Sequence, residues 1–458
     1  MLKCYINNCF LSLTLSLFGV VLGQNQVSFE THTIYETRLL VDVAAADMDG
    51  DGDIDILSAT PEYRDVFLHR NDGSDGFSTK TIFGNAKGVY KVAAADINDD
   101  GKMDALSASS IDNSIRWYKN EGDGEFTPKC VFDAAKGAFT VVPADLNGDK
   151  RMDVLSASFG DGYIRWHENE GDETFTTHEI YFNDQNLQAI AVADINGDKK
   201  LDIASCSWDD HTVRWHKNNG NQEFTAYTIF DEANVLRSVA IGDIDGDGNI
   251  DLVSADQKDN TIRWHQNIEK ATSFNTSIVT SEATGVYHLA LADIDGDKDL
   301  DIVAALLSGS SIRWYENKGK DGFETHIIVD KAVGAIAVAT VDMNNDGDWD
   351  VLSTAYRSWA AVEWHQNNRI TESTLNSDQL FAKTIPLYPN PTSSEVHLNY
   401  ATATNTNYEL FDMAGKRLAT YTQSGIAHQL DVSSVSKGTY ILKAISGLQV
   451  NYYRILKH

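Results

Sequence analysis

What is scarce in this sequence narrows what it does. There are only four cysteines in 458 residues. Cys4 and Cys9 lie in a stretch read below as a removable leader, which leaves Cys130 and Cys206. Two cysteines in different repeats make no disulfide framework, so both read as single buried thiols. Basic residues are also short: 37 Lys and Arg face 67 Asp and Glu, for a formal net charge of −30. This balance excludes nucleic acid as a partner, because phosphate binding needs clustered Lys and Arg. It equally disfavours an anionic membrane surface. Beyond the N-terminus no apolar run is long enough to span a bilayer, so no transmembrane segment is expected once the leader is gone. No segment carries a helical period. A nucleophile elbow, a phosphate-cradling loop and an added catalytic domain are missing too. The chain nevertheless folds, with 42% hydrophobic and 10% aromatic residues.

At the N-terminus Lys3 precedes an apolar run from about Phe10 to Leu22, followed by the small Gly23. The run is short for a membrane span and suits a signal peptide over residues 1–23, so export is expected.

Beyond it, one pattern dominates. Acidic nonapeptides begin at Asp47, Asp96, Asp145, Asp194, Asp243, Asp293 and Asp342, spaced by 49 residues throughout except for one step of 50. A period this regular is a repeat architecture. Each repeat has an apolar lead-in such as VAAAD, the acidic loop, a second run such as DILSA, and a third centred on Trp (SIRWYKN, YIRWHEN). A turn and a fourth run, such as FTTHEI, follow. Four strands in each unit of about 49 residues predict propeller blades. The seventh repeat stops at Asn367 without its fourth run, and the missing copy, FETHTI, stands at Phe29–Ile34. The fold class is therefore all-β: a seven-bladed β-propeller over residues 29–367, closed by an N-terminal strand.

Oxygen-bearing side chains fall at positions 1, 3, 5 and 9 of every loop. They are Asp47, Asp49, Asp51 and Asp55 in the first, then Asp96, Asn98, Asp100 and Asp104, then Asp145, Asn147, Asp149 and Asp153. The fourth offers Asp194, Asn196, Asp198 and Asp202, and the fifth Asp243, Asp245, Asp247 and Asp251. The sixth offers Asp293, Asp295, Asp297 and Asp301, and the seventh Asp342, Asn344, Asp346 and Asp350. Alternate residues of a tight turn can face one centre, and a hard cation with a loose oxygen shell suits them; this favours several structural Ca2+ ions over Mg2+. Flanking strands and Ser58 at position 12 exclude the helix-flanked EF-hand arrangement. Asn at position 3 in four loops, and Lys150, Lys199 and Lys298 in place of the sixth-position Gly, point to weaker binding there.

With these loops, residues 29–367 resemble the FG-GAP or VCBS repeat family, the calcium-loop propellers typified by the head of integrin α-subunits. The resemblance implies structural calcium in the hairpin between the first and second strands of each blade.

After a polar linker over residues 368–384, residues 385–458 read as a small C-terminal β-sandwich. Its YPNP, LFDMAGK and SKGTYIL segments and its terminal Lys resemble the type IX secretion sorting domain of Bacteroidetes. That likeness implies passage through the periplasm, contact with the type IX machinery, and a secreted or outer cell-surface protein.

Opposite the acidic loops, the chain offers Tyr90, Trp208, His211, Arg237, Tyr287, His288, Arg357 and Trp359 as a candidate ligand face, where aromatics beside Arg and His suit a sugar. The expected function is a binding or adhesion module for polysaccharide or a surface protein. The alternative is a carbohydrate-active enzyme, such as the polysaccharide lyases found among propellers of this resemblance, with Tyr287, His288, His211 and Arg237 as its acid–base set.

Overall fold

β-branched and aromatic runs punctuated by Gly, Asn and Asp give each repeat its short antiparallel strands. The computed structural model describes residues 27–369, apart from 74–75, 123, 183–185 and 358–359, and residues 387–457, apart from 389–391, 393, 413–416 and 447–448. The expected leader at 1–23 and most of the linker lie outside the described residues. The chain divides into compact units, one of them Val27–Arg369 and another formed by the C-terminal strands.

Val27–Arg369 contains seven four-stranded sheets. In the first, Asp42–Ala46 is innermost, followed outward by Asp55–Thr60, Asp65–Asn71 and Phe77–Phe83. The second strand of each blade is buried along its whole length. Blades are joined by apolar clusters that cross from one sheet to the next. Trp117 packs with Ala135, Ala138 and Val154 of the following blade, and Trp166 with Leu187, Ile190 and Ile203. The recurring Trp is thus inter-blade packing, and truncating one to Ala should cost about 3–5 kcal/mol.

The seventh sheet takes its outermost strand from the other end of the unit. Phe29–Thr37 runs antiparallel to Ala360–Asn367, with Phe29 opposite Asn367 and Thr37 opposite Ala360. Leu40, Val43 and Ile56 of the first blade share a core with Met343, Leu352 and Val362 of the seventh.

The residue after the recurring Trp position, which is Leu68 in the first blade, ties strands together. His69 bridges Ser58 Oγ at 2.7 Å and Thr79 Oγ1 at 2.9 Å. His167 repeats this with Ser156 and Thr177, and His265 with Ser254 and Thr276. In the seventh blade His365 takes Ser353 from its own repeat and Thr31 from the N-terminal strand. Tyr118 meets Ser107 in the second blade. The Arg side chains pair elsewhere, Arg165 with Asp161 and Arg263 with Asp256. The thiols also divide: Cys206 is buried as expected, but Cys130 is exposed on an outer strand.

These histidines should make the fold acid-sensitive. Burial pushes His69 and His365 down to about 4 and His167, His216 and His265 down to about 3. An unfolded His titrates near 6.5, so folding is undisturbed above that value. Below it the unfolded chain takes up protons that the folded one refuses, and stability falls until the folded value is reached. Each histidine should contribute about 1.4 kcal/mol of loss per pH unit in that window. Denaturant unfolding in saturating calcium should therefore weaken steeply from pH 6.5 towards 4. His265→Tyr, which copies the Ser107–Tyr118 pair, should reduce that slope by about one proton. An unchanged slope would remove the histidines from the account.

The C-terminal unit contains Leu387–Tyr388, Glu395–Asp412, Arg417–Asp431, Gly438–Ser446 and Gln449–Lys457, joined in one hydrogen-bonded sheet. A register break between Asn399 and Thr404 interrupts the longest pair. Val396 and Leu398 before it share a core with Tyr408 and Leu410 after it. A small β-sandwich is expected here; among the described residues these strands form one continuous hydrogen-bonded sheet. Lys457 Nζ, of the terminal basic segment, donates to the carbonyls of Val432 and Ser433. The turn at Ala414-Gly415 lies outside the described residues.

Candidate functional site

Each acidic loop is organised by its first and ninth residues. Asp47 accepts the backbone N–H of Gly50 at 2.8 Å and of Gly52 at 3.0 Å, curling the loop around its carboxylate. Asp55 is wholly buried and accepts Met48 N–H on one oxygen and Asn71 N–H on the other. The same pair of bonds recurs at Asp104, Asp153, Asp251, Asp301 and Asp350. Asp202 accepts Asn218 N–H. The sixth residue has a left-handed backbone, with φ of 94° at Gly52 but also 74° at Lys150 and 83° at Lys298. A lysine accepts that conformation at a cost of about 1–2 kcal/mol.

The side chains converge as a cation would require. Carboxylate oxygens of Asp47, Asp49 and Asp55 lie within 4.8 Å of one another, as do those of Asp243, Asp245 and Asp251, and of Asp293, Asp295 and Asp297. Asn98 Oδ1, Asp202 Oδ2 and Asp293 Oδ1 are buried oxygens without a hydrogen-bond partner among the described residues. Burial pushes the ninth-position carboxyls up to about 6, and Asp301 to about 7. Buried carboxylates crowded beside others, with oxygens to spare, fit a hard divalent ion.

The loops are not equivalent. In the second, third and fourth, the position-3 Asn donates to the position-5 Asp, and a basic side chain at position 7 (Lys102, Arg151 or Lys200) pairs with that same Asp. The first, fifth and sixth carry Asp at position 3 and no base at position 7. An asparagine links neighbouring loops. Asn120 Nδ2 donates to Met48 O of the preceding loop and to Met103 O of its own, and Asn169, Asn218, Asn267, Asn317 and Asn367 repeat this.

The other candidate site is built by a device the sequence hides. In six blades the innermost strand carries one extra residue against its neighbour. Val89 pairs with Ser109 and Lys91 with Ala108, which leaves Tyr90 bulged. Phe139, Gln188, Arg237, Tyr287 and Ile336 bulge at the equivalent place. A bulge re-aims its side chain, so two successive residues of a strand can face the same space. The result is a cavity of about 470 Å³ in which Tyr90, Phe139, Gln188, Arg237 and Tyr287 stand beside Asp42, Lys91 and His288. It adjoins a wider one of about 910 Å³ that adds Trp208, Phe159, Arg64 and Lys87.

Asp42, Lys91 and His288 bring the first, second and sixth blades together. Lys91 Nζ donates to Asp42 Oδ1 at 2.9 Å and lies 3.4 Å from His288 Nε2. Burial, reinforced by the Lys91 charge, holds His288 neutral, down to about 3. Arg237 lies 3.8 Å above the Trp208 ring and 4.9 Å from that of Tyr287. Its Nε donates to Gln257 at 2.8 Å and Nη1 to Gln188 at 3.1 Å.

Of the eight ligand-face candidates, the structure gathers Tyr90, Trp208, Arg237, Tyr287 and His288 around these cavities. His211 is exposed, with φ of 63°, and Arg357 offers its carbonyl to Leu39; neither lines the cavities. Trp359 lies outside the described residues. Sequence reasoning missed Asp42, whose only signal was an acid inside an apolar inner strand. The lyase set is therefore not one group, since His211 stands apart from the other three.

The FG-GAP-like repeat family matches residues 47–107, 96–156, 145–205, 194–254, 243–304 and 293–353, overlapping windows that each join two successive acidic loops. The family described as a secretion system C-terminal sorting domain matches residues 386–457. No curated protein matches the chain. Among solved structures it is similar to a lectin of Agrocybe aegerita, described as recognising non-reducing terminal N-acetylglucosamine. That likeness has a TM-score of 0.50 and 19% identity, over 73% of this chain and 86% of the other, and it speaks to the fold alone. No helix among the described residues is long and apolar enough to cross a membrane. The C-terminal domain is of the type IX sorting kind, which engages that secretion machinery and indicates export to the cell surface or the medium. The chain belongs to the FG-GAP-like repeat family, as a β-propeller followed by a type IX sorting domain.

Proposed function

We propose that this protein is an exported, calcium-stabilised propeller that binds polysaccharide in its central cavity and performs no chemistry on it. The observation that carries this is the bulged tier, in which Tyr90, Phe139 and Tyr287 line one cavity together with Asp42, Lys91 and His288. Rings with polar groups between them suit a sugar, whose apolar face stacks while its hydroxyls hydrogen-bond. The sorting domain is consistent with a partner outside the cell. Calcium at positions 1, 3, 5 and 9 of the loops would supply rigidity rather than reactivity, because a filled oxygen shell leaves no open position.

The test is retention of the calcium-loaded protein on immobilised polysaccharides, with absorbance of new unsaturated sugar ends recorded alongside. Retention without new absorbance is expected. Tyr287→Ala should weaken retention by about tenfold, or about 1.4 kcal/mol. Retention that is indifferent to Tyr287 would move the ligand elsewhere, and rising absorbance would replace the binding module with a lyase.

A further inference from the structure

The charges in this chain are distributed against its average. The molecule carries −30, yet the two central cavities are lined by Arg64, Lys87, Lys91 and Arg237 against Asp42 and Glu62 alone. Asp42 is already engaged, by Lys91 Nζ and by Val92 N–H at 2.9 Å each.

Arg237 is the cation these cavities hold most firmly in place. Arg165 has Asp161, Arg214 has Asp210 and Arg263 has Asp256, whereas Arg116 and Arg313 form no ion pair among the described residues. Arg237 likewise forms none among the described residues. It is held by the neutral oxygens of Gln188 and Gln257, and the Trp208 and Tyr287 rings lie against its guanidinium. Two of its five N–H groups are thus used, and the planar fork is fixed in orientation before any ligand arrives. A half-buried cation without a counter-charge is costly, and it persists where a partner supplies the missing charge.

We infer that the cavity takes an anionic saccharide, whose carboxylate or sulfate group docks in plane on the Arg237 guanidinium beside Trp208 and Tyr287. A planar fork suits both groups, through paired N–H···O bonds. The assignment rests on the central cavity being the saccharide site, and it adds the charge of the ligand to that reading. It also accounts for four cations gathered in an acidic protein, since they would raise the local concentration of a negatively charged chain.

Calorimetric titration would compare three probes of equal length: neutral galactan oligomers, oligogalacturonate and sulfated galactan oligomers. At least one acidic series should bind ten or more times tighter than the neutral one, and which series gains tells carboxylate from sulfate. Arg237→Gln should erase that preference, whereas Arg237→Lys, retaining charge without the fork, should keep part of it. Tyr287→Ala should weaken acidic and neutral probes together. Thermal melts of each variant check that the blade remains folded; if Arg237→Gln melts early, Arg237→Lys carries the comparison. Equal affinity for neutral and acidic probes, or an acid preference untouched at Arg237, overturns the anion assignment and leaves saccharide binding standing. Failure of every probe to bind overturns both.

Discussion

Removing calcium with a chelator should lower the melting temperature of the propeller by roughly 15 °C or more. A ligand that binds only the folded state stabilises by about 2.7 kcal/mol per site at a hundredfold excess over Kd. Three such sites give about 8 kcal/mol, and in a domain of this size each kcal/mol shifts the midpoint by roughly 2–4 °C. The three sites expected to dominate are the first, fifth and sixth loops, where Asp49, Asp245 and Asp295 add a fourth carboxylate and no base stands at position 7, Arg70 reaching only Asp49 of the first from outside the loop. In the second to fourth loops Lys102, Arg151 and Lys200 already pair with the position-5 Asp and would compete with an ion. Titration back with calcium should therefore be biphasic, and magnesium should not substitute, because its small octahedral shell fits these loops poorly.

The pH dependence adds a second check. The ninth-position carboxyls are raised by burial to about 6 or 7. An unfolded Asp titrates near 3.9, so without a cation their ionisation opposes folding increasingly as pH rises from about 4 to 7. A bound cation reverses that cost, so the gap between calcium-loaded and chelated protein should be widest near pH 7 and narrow towards pH 5. A melting curve indifferent to chelation at pH 7 would remove the metal from the account.

The asparagine links explain why a local loss would act on the whole ring. Met48 O, Ile97 O and their equivalents are second-position carbonyls of one loop that accept from the next blade. A loop that loosened on losing an ion would release the neighbour's asparagine as well as its own turn.

Repetition made the scaffold legible and hid the cavity. One acidic turn means little, but seven copies of the same spacing fixed the repeat, and the missing FETHTI-like segment of the last repeat pointed to Phe29–Thr37. The strand position of Tyr90, Arg237 and Tyr287 was also readable. Their direction was not, because a single extra residue in Val89–Ala95 or Leu236–Gly242 changes which face a side chain takes, and nothing in composition marks it. That His211 and Arg357 do not line the two cavities was unreadable for the related reason that loop side chains follow local dihedrals, here a left-handed His211. The Ser–His–Thr relays were overlooked because their members lie ten or eleven residues apart on three strands and converge only across a sheet.

Deleting residues 29–37 should have the other large effect, leaving the propeller largely insoluble or unfolded at 25 °C. The strand makes the whole outer ladder of the seventh sheet, from Phe29 opposite Asn367 to Thr37 opposite Ala360. Without it Ala360–Asn367 becomes a bare edge, a template for pairing with other chains. Its side chains are also specific to the place. Thr31 Oγ1 is the only described partner of His365 Nδ1 and takes the position that Thr79, Thr177 and Thr276 hold in complete blades. Ile34 and Tyr35 pack on the core shared by the first and seventh blades. A single change, Thr31→Val, separates the two contributions: it keeps shape and strand propensity but strands a buried ring nitrogen, at a cost of about 1–3 kcal/mol. That variant should fold with a lowered midpoint, while the deletion should not fold alone and should be rescued by the same nine residues appended after Asn367. Rescue would show that the ring needs the strand's pairing rather than its place in the chain. A deletion that stays soluble, with an unchanged calcium-dependent melt, would mean that six complete blades and a three-stranded seventh suffice.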